Sequence, residues 1–228
     1  MSLKQPLYYS MKRFVSAMLK ILFEDNHLLC VVKPKNLLTQ HSPDENSLED
    51  IAKEYIKTTY NKPGNVYLHA IHRLDKLTSG IVVFAKTSKA LSRLNEMMRE
   101  GEYEKQYEAL VEGKVSPEVG TLEHYLIHGD HKAIIAKASN KEAKKSVLHY
   151  KVVAIEGTTS RLTIRLETGR YHQIRAQFAA IGHPVVGDTL YGAKTSSPES
   201  GIMLHHAALT FCHPVTKEPI ALVAHKTF

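Results

Sequence analysis

The residues with the clearest chemical potential are four consecutive ones, His72-Arg73-Leu74-Asp75. They are followed by the pair Ser79-Gly80 and by the apolar run Ile81–Ala85, which is typical of a buried strand. A Ser/Gly pair before such a run predicts a tight turn at the entrance of the strand. Asp75 is therefore expected on a connection beside the core, where functional sites are commonly built. Arg73 adds a cation close to this potential nucleophile or base.

Two further polar residues lie on elements that the sequence pattern predicts. Tyr107 alternates with Ala109 and Val111 on one face of a predicted strand. Arg175 lies one turn after the start of a helix predicted over 171–181, away from its apolar stripe of Ile174, Phe178 and Ile181. From the pattern alone, a core role for Tyr107 and a surface role for Arg175 are more usual than a role in a site.

The rest of the chain predicts an α+β domain. Ser47 with Asp50 forms a capping box for one helix, and Thr87 is the predicted N-cap of a second helix that ends at Gly101. Strands are predicted around 28–32, 107–111, 148–154, 162–166, 207–211 and 220–223. Since these strands show no regular βαβ spacing, we expect a mainly antiparallel sheet with flanking helices.

Composition sets broad limits on the function. The chain of 228 residues has 30 basic and 23 acidic residues, so its net charge is +7, the sign expected of a protein that contacts phosphates. Six lysines against two acids between 129 and 151 predict a basic loop, which either solubilises the chain or contacts phosphates. The two cysteines are far apart and form no framework, which favours a cytoplasmic protein. The apolar stretch 14–23 is too short to span a membrane.

Three strings in order resemble the motifs of one family. The string HRLDKLTSGIVVFAK, residues 72–86, resembles the signature of the RluA-type RNA pseudouridine synthases, in which the Asp is catalytic. Lys105–Gly113 is similar to the second motif, a strand whose Tyr lines the site, and Gly169–Arg175 with Ile181–Asp188 is similar to the third. A set of three motifs is far more specific than one. The similarity runs from about Ile21 to about Val223.

The resemblance implies an architecture and an activity. It implies an α+β fold with a mixed, mainly antiparallel sheet and a central RNA-binding cleft. Residues 1–20 are then an N-terminal leader, part of it disordered, and residues 21–228 are the catalytic domain, without the S4-like domain of many relatives. The implied activity isomerises uridine to pseudouridine in structured rRNA or tRNA without a cofactor. A cytoplasmic monomer is the expected form.

The resemblance also assigns roles to residues. Asp75 is the catalytic carboxylate, Arg175 is the cation that pairs with it, and Tyr107 lines the site beside the uracil. The family's Arg at the position of Arg73 fills the space that a flipped uridine leaves in an RNA stem. The expected RNA-binding residues are Arg73, His72, Arg170, His172, Gln173, Lys144 and Lys145. Of these, His172 and Gln173 are also expected to organise the turn before Arg175 by hydrogen bonding.

One position departs from the family pattern. The usual Lys-Pro-Ala-Gly string is Lys33-Pro34-Lys35-Asn36 in this chain. Asn tolerates a left-handed backbone where Gly is usual, so we expect the turn to be kept.

Three alternatives remain open at this stage. The first is a metal site, but the 14 histidines lack partners at ligand spacing and no zinc-deaminase pattern is present, so we expect none. The second is a non-catalytic RNA-binding or chaperone protein on the same scaffold, for which a buried ion pair has no purpose. The third is a hydrolase, such as a nucleosidase that uses Asp75; the basic charge favours a polymeric substrate instead.

Overall fold

A computed structural model describes residues 19–226 of the chain. The first strand begins at Lys20, next to the boundary predicted between residues 20 and 21. Most of the predicted leader lies outside the described residues, so the expectation for it stays a prediction.

Residues 19–226 form eleven strands, three α-helices and one turn of 3₁₀-helix. The strands are β1 (Lys20–Glu24), β2 (Leu28–Lys33), β3 (His69–Ala70), β4 (Ser79–Ala85), β5 (Glu104–Glu112), β6 (Val119–His128), β7 (Ala133–Ala136), β8 (Lys144–Glu156), β9 (Thr159–Leu166), β10 (Leu204–Cys212) and β11 (Pro219–Val223). The helices are α1 (Leu48–Thr59), α2 (Ser88–Arg99) and α3 (Gln173–Ala180), and the 3₁₀ turn is Thr189–Tyr191.

All of the strands belong to one sheet. Its order is β1-β2-β4-β10-β5-β9-β8-β6-β7, with β3 paired to β4 and β11 paired to β10. Strands β4 and β10 run parallel, and the other pairs are antiparallel. The prediction of a mixed, mainly antiparallel sheet is therefore confirmed. The three strands β4, β10 and β5 occupy the middle of the sheet, and the site is built on them.

The sheet separates two hydrophobic cores. Strand β4 alternates between them, since Val82 and Phe84 face one core while Ile81 and Val83 face the other. Helices α1 and α3 pack on the first face, with Phe178 of α3 fully buried. Helix α2 packs on the second face.

The predicted helix caps are present in the structure. The Ser47 hydroxyl accepts from the Asp50 amide at 3.1 Å, and the Thr87 hydroxyl accepts from the Ala90 amide at 3.2 Å. Asn36 has a φ of 60°, so the left-handed turn predicted there is also confirmed.

Three local predictions were wrong. Ser79 and Gly80 are already paired in β4, and the turn lies earlier, where the Thr78 amide bonds to the Asp75 carbonyl. The helix predicted over 171–181 is shorter, and Ile181 is 36% exposed rather than part of its buried stripe. The basic segment is largely strand rather than loop: β7 lies within it and β8 begins at Lys144, and each of the two strands pairs with β6.

Candidate active site

Asp75 lies at the start of a turn that a buried lysine holds in place. The turn is closed by the hydrogen bond from the Thr78 amide to the Asp75 carbonyl at 3.0 Å. Lys33 is fully buried, and its Nζ donates to the carbonyls of Lys76 at 3.2 Å and Leu37 at 2.7 Å. Burial lowers the pKa of Lys33 to about 8, while the charge of Asp75 opposes that shift. The lysine thus ties the turn at Asp75 to the loop after β2.

Gly80 allows the central strands to approach each other directly behind this turn. Its φ is +126°, and a Cβ at this position would lie 2.4 Å from the backbone N and O atoms of His206 in β10. A side chain is therefore excluded, because real atoms do not approach so closely. The same His206 pairs with Tyr107 on the other side of β10, so Gly80 fixes the spacing between the Asp75 turn and Tyr107.

Arg175 is buried and holds Asp75 from helix α3. Its side chain is 3% exposed, and Nη1 donates to Asp75 Oδ2 at 3.1 Å. The other edge of the guanidinium is bound by Asp188, with Nε to Oδ2 at 2.6 Å and Nη2 to Oδ1 at 2.9 Å. Despite burial, these carboxylates raise the pKa of Arg175, so the group remains a cation. Asp75 is 25% exposed, so one face of its carboxylate is open to a substrate.

His172 is a neutral acceptor in this cluster. Its Nε2 lies 2.7 Å from Arg175 Nη1, which can only donate, so Nε2 carries the lone pair and Nδ1 the proton. Nδ1 then donates to the Tyr191 hydroxyl at 3.1 Å. Burial lowers the pKa of His172 to about 4, in agreement with a neutral ring. The 3.5 Å approach of Nε2 to Asp75 Oδ2 is therefore not an ion pair. His172 also has a left-handed φ of 49°, which costs energy outside glycine and is typical of functional sites.

Tyr107 lies on the opposite wall from Arg175. Its ring stacks on His206 with a centroid distance of 4.6 Å and an interplanar angle of 16°. Burial, followed by the negative charge of Asp75, raises the pKa of Tyr107, so the phenol is neutral at physiological pH. The structure thus brings Asp75, Tyr107 and Arg175 together around one small cavity of about 70 Å³. The cavity is lined by Arg73, Leu74, Asp75, Thr78, Tyr107, Leu166, Arg170, His172, Gln173, Ile174, Arg175 and Leu204.

The residues predicted to bind RNA lie at the cavity, outside its lining or at the start of β8. Arg73 and Arg170 are exposed at the cavity, while Gln173 is buried in its wall. His72 is outside the lining: its Nε2 is buried, and its ring packs edge-on against His206 at 5.4 Å. Lys144 and Lys145 are exposed at the start of β8, and Lys145 pairs with Glu123 at 3.0 Å.

Hydrogen bonds around the start of α3 agree with the organising role expected for Gln173. Its Oε1 accepts from the Arg170 amide at 3.0 Å and from the Thr168 hydroxyl at 2.8 Å, and its Nε2 donates to the Val147 carbonyl at 3.1 Å. The side chain therefore joins the turn before α3 to β8.

Sequence reasoning assigned no role to three contributors, Lys33, Asp188 and His206. No local pattern marks them, since Lys33 follows the end of an apolar run, Asp188 lies between Gly187 and Thr189, and His206 follows a second histidine. Within residues 19–226, no three metal-ligating side chains cluster together. No helix in the same residues is long and apolar enough to cross a membrane.

The chain is similar to known proteins over most of its length. The family model described as RNA pseudouridylate synthase matches residues 27–180. The dual-specificity RNA pseudouridine synthase RluA of Haemophilus influenzae is 32% identical over 92% of this chain and 94% of its own length. The tRNA pseudouridine synthase C of Vibrio parahaemolyticus is 30% identical over 90% of this chain and 89% of its own.

A solved structure shares the fold. Human RNA pseudouridylate synthase domain containing 4 superposes with a TM-score of 0.78 at 20% identity, covering 97% of this chain and 93% of that one. The predicted α+β fold is confirmed by this likeness. Because the family model and the Haemophilus relative both cover most of the sequence, the chain belongs to the RluA-type RNA pseudouridine synthases.

Proposed function

We propose that this chain converts specific uridines of structured tRNA or rRNA to pseudouridine, with Asp75 as the catalytic carboxylate. The observation that carries the assignment is the geometry of one ion pair: a partly exposed carboxylate held 3.1 Å from a buried guanidinium at a cavity. The name of the Vibrio relative specifies tRNA, and the name of the Haemophilus relative specifies dual specificity for RNA. Both names support an RNA substrate. The net charge of +7 suits a polyanionic substrate.

The reaction is an isomerisation within one nucleotide. The C1′–N1 bond of uridine breaks, the uracil rotates, C5 bonds to C1′, and the proton on C5 is replaced by one on N1. An ionised carboxylate can attack C1′ or the base, or can remove a sugar proton. All three routes need the negative charge of Asp75, and the Arg175 cation stabilises that charge at a partly buried place.

Tyr107 and Arg73 complete the proposed site. The Tyr107 ring is held by its stack on His206, so it can lie against an extruded uracil, and its neutral phenol can donate or accept a hydrogen bond there. Arg73 is exposed at the mouth of the cavity, where a planar guanidinium can stack in the gap that an extruded base leaves.

The test maps pseudouridine in RNA from cells in which the gene for the protein has been deleted. The cells are complemented with the parent chain, with Asp75→Asn or with Asp44→Asn. Asp75→Asn keeps the shape and removes the charge, so the parent's modification sites should be absent. Asp44 is exposed and outside the cavity, so its variant is the matched control and should restore every site. The affinity of Asp75→Asn for RNA should stay within a few-fold of the parent, because phosphate contacts dominate binding. Appreciable pseudouridine from Asp75→Asn would show that the catalytic assignment is wrong.

A further inference from the structure

A second and larger cavity lies beside the catalytic one. Its volume is about 420 Å³, within the range of ligand-binding pockets. Its walls come from the end of β6, from β7, from the start of β8 and from the turn before α3. The lining residues are Leu126, Ile127, His128, Ala133, Glu142, Lys144, Gly169, Arg170 and Tyr171.

Three stacked rings separate the two cavities. His128 lies on Tyr171 with a centroid distance of 4.4 Å and an angle of 20°, and Tyr171 lies on His172 at 3.8 Å and 19°. The Tyr171 hydroxyl donates to the His131 carbonyl at 3.2 Å, which fixes the middle ring to the β6–β7 hairpin. His172 lines the catalytic cavity, whereas Tyr171 and His128 line the larger one. Because the two imidazoles cover the faces of the Tyr171 ring, the aromatic face open to the second cavity is the outer face of the exposed His128 ring. His172 presents its Nε2 edge to the first cavity.

Cations mark a path between the cavities. Arg170 is exposed and lines both of them, and Lys144 lines the larger one. The Arg170 Nε donates to the Lys145 carbonyl at 3.4 Å, so the guanidinium is held near the start of β8. Glu142 is the acidic residue among the lining residues of the larger cavity. This balance suits a phosphate lying at Arg170, with a sugar on either side.

We propose that the larger cavity binds the unpaired base of a nucleotide next to the target uridine, on the outer face of the His128 ring that Tyr171 supports, with the intervening phosphate at Arg170 and Lys144. The proposal rests on the proposed function, because it places the target uridine at Asp75. Aromatic side chains bind unpaired bases by stacking, and each such contact contributes about 1–3 kcal/mol. A neighbour held in a duplex must first be unstacked at a cost of a few kcal/mol, so the enzyme would favour RNA in which this neighbouring base is already unpaired.

The experiment follows a base analogue whose fluorescence falls when it stacks. The probes are heptauridylates with 2-aminopurine placed in turn at each position, and fluorescein-labelled copies report binding by anisotropy. The variants that remove rings are His128→Asn and Tyr171→Leu. The matched controls are His131→Asn, an exposed residue of the same hairpin outside the cavity, and Tyr171→Phe, which keeps the ring. Thermal midpoints verify that each variant is folded.

The parent and both controls should quench 2-aminopurine at one or more positions of the heptamer. His128→Asn and Tyr171→Leu should lose at least half of this quenching and bind the same probe about 5- to 100-fold more weakly. Binding without quenching, or quenching that His128→Asn leaves intact, would overturn the assignment of the cavity and leave the proposed function standing. A parent chain that binds none of the probes, even at low salt, would also overturn the assignment of the cavity, whereas the proposed function is tested separately by the map of pseudouridine.

Discussion

Asp188 accepts two hydrogen bonds from Arg175 along the edge of the guanidinium opposite to Asp75, so one guanidinium binds two carboxylates. Asp188 takes Nε and Nη2 at 2.6 and 2.9 Å, which leaves Nη1 to point at Asp75. The side chain of Asp188 is fully buried, so its charge can be compensated only within the protein. Asp188 touches no reacting atom in this arrangement and acts through Arg175, as a positioning residue.

Replacing Asp188 by Asn should lower kcat at least ten-fold and leave KM within a few-fold of the parent value. The amide of Asn can accept one of the two bonds from Arg175 but not both, so Nη1 is no longer directed at Asp75. A ten-fold loss corresponds to ~1.4 kcal/mol of transition-state stabilisation. Steady-state kinetics on RNA that carries a mapped target uridine would measure the change.

Asp25→Asn is the control for this prediction. Asp25 pairs with His213 at 2.9 Å, far from the cavity lining, so its loss should affect stability rather than kcat. If Asp188→Asn lowered activity only in proportion to the fraction of unfolded protein, the positioning role would be excluded.

The three central residues of the site could be predicted because each lies within a short, ordered string. Asp75, Tyr107 and Arg175 keep fixed relations to a strand or helix that local periodicity already indicates. Their convergence depends on β10 joining β4 to β5, a pairing between segments more than 90 residues apart. Periodicity carries no information on such a pairing, so the strand order was not predicted, and the meeting of the three residues was predicted only from the resemblance of the motifs.

The partners of these residues could not be predicted for the same reason. Asp188 reaches Arg175 because the chain after α3 turns back on itself, and His206 reaches Tyr107 through the register of the sheet. The turn at Ser79-Gly80 was misplaced because a Gly in sequence looks the same whether it makes a turn or allows two strands to touch. Here a neighbouring strand, invisible to local reasoning, decides between the two.

Replacing Arg73 by Ala should slow turnover of a stable RNA stem more than turnover of a short unpaired oligonucleotide that contains the same uridine. Only the stem must be unstacked, and extrusion of a base costs a few kcal/mol. Arg73 is exposed at the cavity mouth, so the folded structure should survive the change. Single-turnover rates on the two RNAs would show the difference. Equal losses on both substrates would argue against a role for Arg73 in base flipping.

Replacing Gly80 by Ala should destabilise the protein by about 3 kcal/mol or more and reduce kcat of the folded fraction. The new Cβ would collide with the His206 backbone at 2.4 Å and require a positive φ, so β4 and β10 must separate. Urea denaturation would measure the free energy of unfolding. Gly64→Ala is the control, since a Cβ there meets no atom within 4 Å, and its stability should stay close to that of the parent. A Gly80→Ala protein as stable as the parent would show that the close approach is not needed.

Acid should destabilise the protein through His206, the ring beneath Tyr107. Burial lowers the pKa of His206 to about 3, although its Nδ1 donates to the Ile81 carbonyl at 2.8 Å. The unfolded chain takes up a proton near pH 6.5 and the folded chain does not until about pH 3, so stability falls as pH decreases through this window. At pH 5 the neutral, buried His206 should lower the free energy of unfolding by about 2 kcal/mol relative to neutral pH.

Urea midpoints at pH 5 and 7.5 should therefore differ less in His206→Gln than in the parent. His41→Gln, an exposed control, should keep the parent's difference. If the urea midpoint changed equally between the two pH values in His206→Gln and in the parent, His206 would not be a cause of the loss of stability in acid.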